Sequence, residues 1–382
     1  MPPRCNRIAT GHDGPVTAVV ELTRRQVLAH RVAVHGLVDR VAALPSVALF
    51  DLGVQDTPPG SLRVALSARL AEPLLPEADV TAGGALTLAW SHRGAPHLHR
   101  TAELPALAAG CWPRDDADAA ARLGWQRARL ASAGVAARAG YREVADAVRA
   151  VLDRSLSKAA LSTAVTARIR PGLAPFCRPC GVDHVAEQLL RLAGLPGGAR
   201  LRADGSPLVL EPIEGWAGPP ADERAGTTAL QEAYLRFFAP GTDADVAGYL
   251  GTNAAAVRPD RPEGQVRVRV DGRACAVPAA QLDGMRRAEP PDMVRLLPPS
   301  DPLLQGRDRD VLLPDAAHRK ALWRPLGSPG AVVSGVDIVG TWRARQRGRR
   351  LDVAVDEFRP LTRSECAGLD EEVQRVRATR GM

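Results

Sequence analysis

The sequence predicts an α+β fold: three tandem winged helix-turn-helix modules followed by a β-rich, barrel-like C-terminal part. Two patterns in its 382 residues lead to this prediction. Short helices followed by a two-stranded hairpin recur three times along the chain, and this order is typical of a winged helix-turn-helix. From residue 291 onward, strand-like runs separated by turns replace that order, which indicates a small barrel or sheet.

Composition and turn residues mark the borders between these parts. The first residues are rich in Gly and Pro without periodicity, and a second Pro- and Gly-rich stretch interrupts the chain after residue 214. The predicted units are a flexible leader (1–20), a first winged helix (21–110), a second (111–214), a linker (215–226), a third winged helix (227–290) and a β-rich domain with a terminal helix (291–382).

The first module opens with a helix that Thr23 can cap. A β-rich run over 47–54 follows it. The turn Pro-Pro-Gly then precedes Ser61, which we expect to cap a helix over 62–70. Two runs with an Arg-Gly turn between them predict a hairpin over 86–100.

The second module repeats this order with helices around 144–152, 158–169 and 185–192. Its hairpin is predicted at the turn Asp204-Gly205.

The third module shows the pattern most tightly. Helices are predicted over 230–238 and 243–250, with Thr242 capping the second, and a third helix starts within 253–257. Residues 266–270 then alternate strictly between Val and Arg before an Asp-Gly turn, which predicts a two-stranded wing.

The C-terminal part contains several short runs that are typical of strands, and one amphipathic segment that is typical of a helix. The predicted strands are 294–297, 311–313, 331–334, 338–342 and 351–355, and the predicted helix is 364–377.

The net charge of the chain and the motifs that it lacks exclude several classes of function. The chain has 50 basic and 43 acidic residues, a net charge of +7 and a pI near 9.5, which favours a polyanionic partner. Lys158 and Lys320 are its only lysines, and neither lies in a GxxxxGK phosphate loop. HExxH, GxSxG and GxGxxG are also missing. No signal peptide and no run of about 18 apolar residues is present, so we expect a cytoplasmic protein that does not enter a membrane.

An arginine-rich segment near the C-terminus indicates a nucleic-acid surface. Residues 340–350 hold five arginines and no acid on what looks like a hairpin tip. A merely solvated turn is the alternative. The arginines predicted to contact DNA here and in the preceding basic segment are Arg307, Arg309, Arg343, Arg345, Arg347 and Arg349.

Cys177, Cys180 and His184 have the spacing of half a zinc site. A structural zinc site needs four ligands, and no second pair follows, so reduced, packed thiols are the favoured interpretation and zinc is the alternative. We therefore predict no metal and no cofactor.

The segment around Gln55 is the most suggestive of chemistry. Gln55, Asp56 and Thr57 place an amide, a carboxylate and a hydroxyl where a strand runs into a helix N-terminus. Alternate strand residues face opposite sides, so Gln55 and Thr57 share one face and Asp56 points away unless the backbone bulges. Simple helix capping by Asp56 or Thr57 is the alternative interpretation.

Taken together, these segments resemble the AlkZ-type DNA glycosylases, a family of winged-helix DNA-binding proteins. The resemblance covers residues from about 22 to 377. It depends on the order and spacing of several short segments: 22–27 (LTRRQV), 50–61 around Gln55, 93–99 (RGAPHLH), 301–309 (DPLLQGRDR), 339–343 (VGTWR) and 358–361 (FRPL).

The resemblance implies three tandem winged helices and hydrolysis of the N-glycosidic bond of alkylated purines such as N7-alkylguanine. The family motif is Gln, an apolar residue, then Gln or Asp. It falls on Gln55, Asp56 and Thr57, so this chain departs from it at the second and third positions. Gln55 would orient water, and Asp56 would stabilise the charged sugar or act as the base.

The resemblance further implies that Arg93, His97 and His99, on the first wing, probe the DNA. With two lysines, neither in the Gln55 segment, we expect a monofunctional glycosylase. The expected partner is double-stranded DNA with alkylated bases, bound by a monomer. A non-enzymatic DNA-binding protein, either a lesion sensor or a transcriptional regulator, is the alternative; a zinc-dependent hydrolase is a third, less favoured one.

Overall fold

The computed structural model describes residues 19–203, 207–218, 226–348 and 350–382. The predicted leader, except its last two residues, the Asp204-Gly205 turn and much of the predicted linker lie outside these ranges. The structure is mixed α+β, as predicted.

The helices alternate with short strands along the whole chain. They are α1 (Arg24–Val34), α2 (Ser61–Ser67), α3 (Leu104–Cys111), α4 (Asp116–Leu123), α5 (Arg127–Ser132), α6 (Ala137–Val151), α7 (Lys158–Thr166), α8 (Glu187–Gly194), α9 (Thr228–Phe238), α10 (Asp243–Leu250), α11 (Ala254–Val257), α12 (Ala279–Arg287), α13 (Arg309–Leu312), α14 (Ala316–Leu322) and α15 (Arg363–Thr379). None of the described helices is long and apolar enough to cross a membrane.

The strands pair mainly as local hairpins. They are β1 (Val20–Leu22), β2 (Val54–Gln55), β3 (Leu86–Trp90), β4 (Pro96–Arg100), β5 (Leu156–Ser157), β6 (Phe176–Cys177), β7 (Val182–Asp183), β8 (Ala199–Leu201), β9 (Val209–Pro212), β10 (Gln265–Val270), β11 (Arg273–Pro278), β12 (Val294–Leu297), β13 (Gly330–Ser334), β14 (Asp337–Arg347) and β15 (Arg350–Glu357).

The hairpins of the first two predicted modules join one sheet. Its strand order is β2-β4-β3-β8-β9-β5, and Leu88 of β3 pairs with Leu201 of β8. One cluster of buried apolar side chains extends from Val47 to Val257 beneath these elements. The parts of the chain predicted as three modules therefore share a core.

The third region has the predicted helices and wing. α9, α10 and α11 precede the hairpin β10–β11, and Thr242 caps α10 in a capping box with Asp245. Strand β1 adds to this hairpin, parallel to β10, and it includes Val20, the last residue of the predicted leader. That these units act as winged helices remains a prediction.

The described C-terminal residues do not form the predicted barrel. Strands β12-β13-β14-β15 form an open antiparallel sheet, and in the described chain β12 and β15 are its two edges. Helix α15 packs on this sheet through Val376, in a cluster with Leu296 and Trp342. The helix covers the apolar face that barrel closure would otherwise bury.

Three local predictions also differ from the structure. Residues 47–54 form mostly 3-10 turns, because Leu52 and Gly53 both donate to the Leu49 carbonyl. Residues 311–313 continue the one-turn helix α13 instead of a strand. The N-cap of α2 is Gly60, at φ +85°, with Ser61 as the first helical residue. Short apolar runs do not distinguish strand from helix, which explains the first two.

Candidate nucleic-acid site

Gln55 lies at the edge of the six-stranded sheet, beside the β3–β4 turn. It pairs with His97 of β4, and the next residue, Asp56, donates its backbone N–H to Pro96 O at 2.9 Å. Arg93 occupies the turn between β3 and β4 with φ +61°, a conformation that costs energy for a residue with a side chain. The turn thereby aims the Arg93 guanidinium at Gln55.

A ring of hydrogen bonds holds the Gln55 amide. Arg93 Nη2 donates to Gln55 Oε1 at 3.1 Å and to Gln305 Oε1 at 2.6 Å. Gln305 Nε2 donates to Ser300 O at 2.8 Å, and Ser300 Oγ donates to Gln55 O at 3.2 Å. Because Oε1 accepts from Arg93, the Nε2 group of Gln55 is the donor that the amide can present to a ligand.

Two further contacts fix Arg93 itself. Its Nη1 donates to Tyr249 O at 3.2 Å, and its guanidinium lies 5.3 Å from the centre of the Tyr249 ring. Gln188 Nε2, from α8, donates to Arg93 O at 3.2 Å. Elements from all three predicted modules and from the C-terminal part therefore contact Arg93.

The ring forms one wall of a pocket of about 460 Å³, which we call the Gln55 pocket. Its lining combines polar side chains, four arginines and one indole: Gln55, Thr57, Pro58, Arg93, Pro299, Ser300, Leu304, Gln305, Arg307, Arg309, Trp323, Arg324, Pro325, Gly327 and Ser328. A pocket of this volume is large enough for a nucleobase.

The Gln55 pocket is strongly positive. Burial, together with the charges of Arg307 and Arg309, lowers the pKa of Arg93 to about 10, and burial lowers the pKa of Arg307 and of Arg309. All three remain charged at neutral pH. Within the described chain, Arg307 Nε is buried without a hydrogen-bond partner. Clustered, largely buried cations favour an anionic ligand such as a phosphate.

Asp56 faces away from Gln55, as strand alternation predicts. Its Oδ1 accepts the backbone N–H of Leu62 at 3.0 Å, and the backbone amides of Gly60 and Ser61 also donate to this carboxylate. Burial raises the pKa of Asp56, while these backbone bonds oppose that shift. Asp56 therefore caps the N-terminus of α2, and this capping is the alternative that the sequence left open.

A second pocket, of about 630 Å³, lies on the Asp56 side of the strand. Its lining includes Arg63, Arg191 and Trp90. Only Thr57, of the three residues in the predicted catalytic motif, lines both pockets. The Gln55 amide and the Asp56 carboxylate therefore border different pockets, on opposite sides of the strand.

The two histidines that the sequence predicts to probe the DNA are buried in this structure. His97 is 0% exposed and His99 is 3% exposed. Ser91 Oγ bridges them, at 2.9 Å from His97 Nδ1 and 3.1 Å from His99 Nε2. The rings are internal packing groups in this conformation. Arg93 is the member of the predicted trio that lines the Gln55 pocket, and His99 borders a different pocket beside Asp51 and Glu103.

The predicted basic hairpin is present as β14 and β15, where Arg347 pairs with Arg350 next to the turn. Arg345 and Arg347 are exposed, and Arg349 lies outside the described residues. Arg343 is half-buried and donates to Gly327 O at 2.6 Å. Since Gly327 also lines the Gln55 pocket, this contact joins the base of the hairpin to the pocket rim.

Two buried ion pairs anchor the segment that carries Gln305, Arg307 and Arg309. Asp301 receives two hydrogen bonds from Arg69 at 2.8 and 2.9 Å. Asp308 receives two from Arg31 at 2.6 and 3.1 Å. Asp301 and Asp308 thus hold the backbone of this segment in place. Its other polar side chains line the Gln55 pocket, namely Gln305, Arg307 and Arg309.

Sequence reasoning missed Ser300 and Trp323 as pocket residues and gave Gln305 no role. Gln305 lies within 301–309, one of the segments on which the family resemblance depends. Its place in that segment could have indicated a role in the site. Ser300 and Trp323 reach the pocket through contacts with distant parts of the chain, Ser300 with Gln55 O and Trp323 Nε1 with Leu304 O. No local pattern predicts such contacts.

The fold and the pocket define a mixed α+β protein whose arginine-lined site suits a polyanion. A family model described as DNA glycosylase AlkZ-like matches residues 51–379, and the chain belongs to this AlkZ-like DNA glycosylase family.

A solved structure, the Streptomyces sahachiroi DNA glycosylase AlkZ, is similar in fold, with a TM-score of 0.72 and 22% identity over 95% of this chain and 98% of that one. The search of curated proteins found no match.

Proposed function

We propose that the protein is a monofunctional DNA glycosylase that hydrolyses the N-glycosidic bond of cationic, N7-alkylated purines, with the Gln55 pocket as its site. Membership of a DNA glycosylase family supports the reaction class. The observation that carries the assignment to this pocket is the hydrogen-bonded ring that fixes Gln55 beside Arg93, Arg307 and Arg309.

In this proposal the chemistry needs little acid catalysis. An N7-alkylated purine already carries positive charge, so it leaves as a neutral base with the electron pair of the C1′–N bond. A water oxygen forms the new bond to C1′, and the proton that this water loses goes to solvent. Gln55 orients the water through its amide, and the fixed amide needs no rearrangement during the reaction. Thr57 supplies a second contact to this water, through its hydroxyl group, from the same face.

The developing positive charge on the sugar meets no protein carboxylate in this site, because the described lining of the Gln55 pocket contains neither Asp nor Glu. The DNA phosphates supply negative charge instead, and Arg307 and Arg309 hold them against the pocket. Asp56 acts through α2, as a positioning residue, since its carboxylate is engaged by backbone amides.

The exposed arginines of the β14–β15 hairpin extend this surface. Arg345 and Arg347 track the backbone of double-stranded DNA, and Arg343 connects the hairpin to the pocket rim through Gly327. The described pocket lining contains no lysine, which supports hydrolysis without a Schiff-base step. The protein acts as a monomer, since one chain supplies every group that this mechanism uses.

A second candidate function is recognition of the lesion without cutting. The carboxylate-free lining favours it, because the described lining of the Gln55 pocket contains no group that would stabilise the sugar cation during cleavage. Such a protein would bind alkylated DNA in preference to unmodified DNA and release no base.

Incubation with a duplex that contains one N7-methylguanine separates the two functions. The proposed glycosylase releases free N7-methylguanine, detected by mass spectrometry, faster than the spontaneous rate of the same duplex. A lesion sensor shows preferential binding in a gel-shift titration and no release above that rate. Absence of both activities, on this adduct and on a bulkier N7 adduct, contradicts the proposal.

A further inference from the structure

The two-stranded hairpin β6–β7 brings the three sulfur and nitrogen side chains of the segment 177–184 together. The ligand atoms of Cys177, Cys180 and His184 all lie within 4.8 Å of one another. We propose that these three residues bind a zinc ion. The sequence favoured unliganded thiols because a second ligand pair is missing, but the structure places three ligands at one point.

A tight backbone turn brings the two cysteines of this hairpin close together. Gly181 adopts φ +70° and donates its N–H to Cys177 O at 2.8 Å, which closes a tight turn between the two cysteines. The backbone N–H of Cys180 is directed at the Cys177 sulfur. An amide aimed at a sulfur stabilises a thiolate, the form in which cysteine binds a metal. Phe176 then pairs with Asp183 to fix the two strands on either side.

His184 is held in the orientation that a ligand needs. Its Nδ1 lies 2.8 Å from Val185 O and donates a hydrogen bond to this carbonyl. The neutral ring then keeps its free lone pair on Nε2. Metal-binding histidines commonly fix their second nitrogen in this way. Val185 and Ala186 are buried, so the ring is attached to the protein core and not to a free loop.

The donor set selects the metal. Two thiolates and one imidazole favour Zn²⁺ over Mg²⁺ or Ca²⁺, which prefer oxygen ligands. Glu187 lies nearby, but its carboxylate pairs with Lys158 at 2.5 Å and with Arg191 at 2.6 Å. Cys180 is exposed, so solvent can occupy the fourth, tetrahedral position.

The proposed zinc site stabilises the segment that supports the Gln55 pocket. Helix α8 begins three residues after His184, and its Gln188 donates to Arg93 O at 3.2 Å. Arg93 in turn holds the Gln55 amide. Loss of the metal is therefore expected to lower the melting temperature of the protein. Metal binding itself is independent of the proposed glycosylase activity.

Metal content of the full chain, expressed without a histidine tag and purified under reducing conditions, tests this inference. We expect one zinc per chain by mass spectrometry in the parent and in the control Cys366→Ser, whose exposed thiol lies on α15 outside the cluster. The double variant Cys177→Ser, Cys180→Ser should lose the zinc. Circular dichroism shows whether each variant is folded.

A second measurement does not depend on the variants. Replacement of zinc by Co²⁺ in the parent should produce thiolate-to-cobalt charge-transfer absorption and the visible bands of a tetrahedral site. A parent chain that stays free of zinc after incubation with Zn²⁺ under reducing conditions and shows no such absorption would overturn the proposal. A Cys177–Cys180 disulfide that forms in place of metal binding would also contradict it.

Discussion

Gln55 and Asp56 are neighbours in the chain, yet the pleat of one strand gives them different environments. The Gln55 amide lies in a ring of side-chain bonds beside four arginines, and the Asp56 carboxylate lies over the N-terminus of α2. A single-residue shift in register would exchange these two environments. The pairing of Gln55 with His97 thus decides which of the two side chains faces the Gln55 pocket.

The buried histidines behind this strand make stability depend on pH. Burial lowers the pKa of His92, His97 and His99, that of His99 to about 4. In the unfolded chain a histidine titrates near about 6.5. Between these values the unfolded state binds more protons than the folded state, so the free energy of unfolding falls as pH decreases from about 6.5 toward 4.

We therefore expect urea unfolding to show a free energy that decreases by up to about 1.4 kcal/mol per pH unit for each histidine below pH ~6.5. His99→Asn should reduce this slope. His318→Gln, which removes a partly exposed ring stacked on Phe358, is the matched control and should leave the slope unchanged. A parent protein equally stable at pH 7 and pH 5 would refute this assignment.

At the scale of elements, the loop between β12 and α13 depends on its two buried acids. Asp301 is 0% exposed and Arg69 is 1% exposed, and Asp301 Oδ1 also accepts the Leu303 N–H at 3.0 Å. Truncation of Asp301 leaves a buried guanidinium without its counter-charge. The loop carries Ser300 and Gln305, so the Gln55 ring depends on this ion pair.

Asp301→Ala should lower the free energy of unfolding by about 3–5 kcal/mol, measured by urea titration. The double variant Arg69→Met, Asp301→Ala should recover part of this loss, because it removes the unpaired charge together with its partner. Arg154→Ala, at an exposed pair with Asp153, is the control and should change stability by less than about 1 kcal/mol. A loss below about 1 kcal/mol for Asp301→Ala would mean that the pair does not anchor the loop.

Elements with a local signal were predicted well from the sequence. The capping boxes at Thr23 and Thr242 and the alternating strand before Asp271-Gly272 depend on residues a few positions apart. The helical turn at Arg309 was missed because a short apolar run does not distinguish a strand from a helix. The preceding Asp308 is fixed by Arg31, 277 positions away, and no local pattern shows this contact. Gln55 and Arg93 were identified, whereas Ser300 and Trp323 depend on tertiary contacts with no local pattern.

The whole molecule brings distant parts of the chain to one basic surface. The Gln55 pocket takes residues from β2, from the β3–β4 turn and from the C-terminal part, and the β14–β15 hairpin adjoins it through Arg343. One buried cluster joins the parts up to Val257, a second joins α1 to the C-terminal part, and two buried ion pairs connect the same regions. The modules predicted as separate winged helices therefore present one composite site.

Binding to duplex DNA should weaken steeply with salt, because each phosphate contact releases counterions. Arg345→Ala together with Arg347→Ala should reduce the slope of log K against log salt by about 2, since each lost contact contributes about 0.9. Arg154→Ala should keep the parent slope, because Arg154 lies outside the hairpin and the pocket lining. An unchanged slope in the hairpin variant would exclude this surface from the DNA interface.

The assignment of catalysis to Gln55 and not to Asp56 is tested by single-turnover release of N7-methylguanine. The rates of Gln55→Ala and Asp56→Asn are compared with that of the parent. Both variants are first checked for folding by circular dichroism and for binding to the duplex. We expect Gln55→Ala to lose base release by about 100-fold or more, the scale typical of a positioned catalytic group. Asp56→Asn should retain most of the activity, because an asparagine oxygen still caps α2. Loss of release in Asp56→Asn with full activity in Gln55→Ala would exclude Gln55 as the catalytic group and place the chemistry in the second pocket.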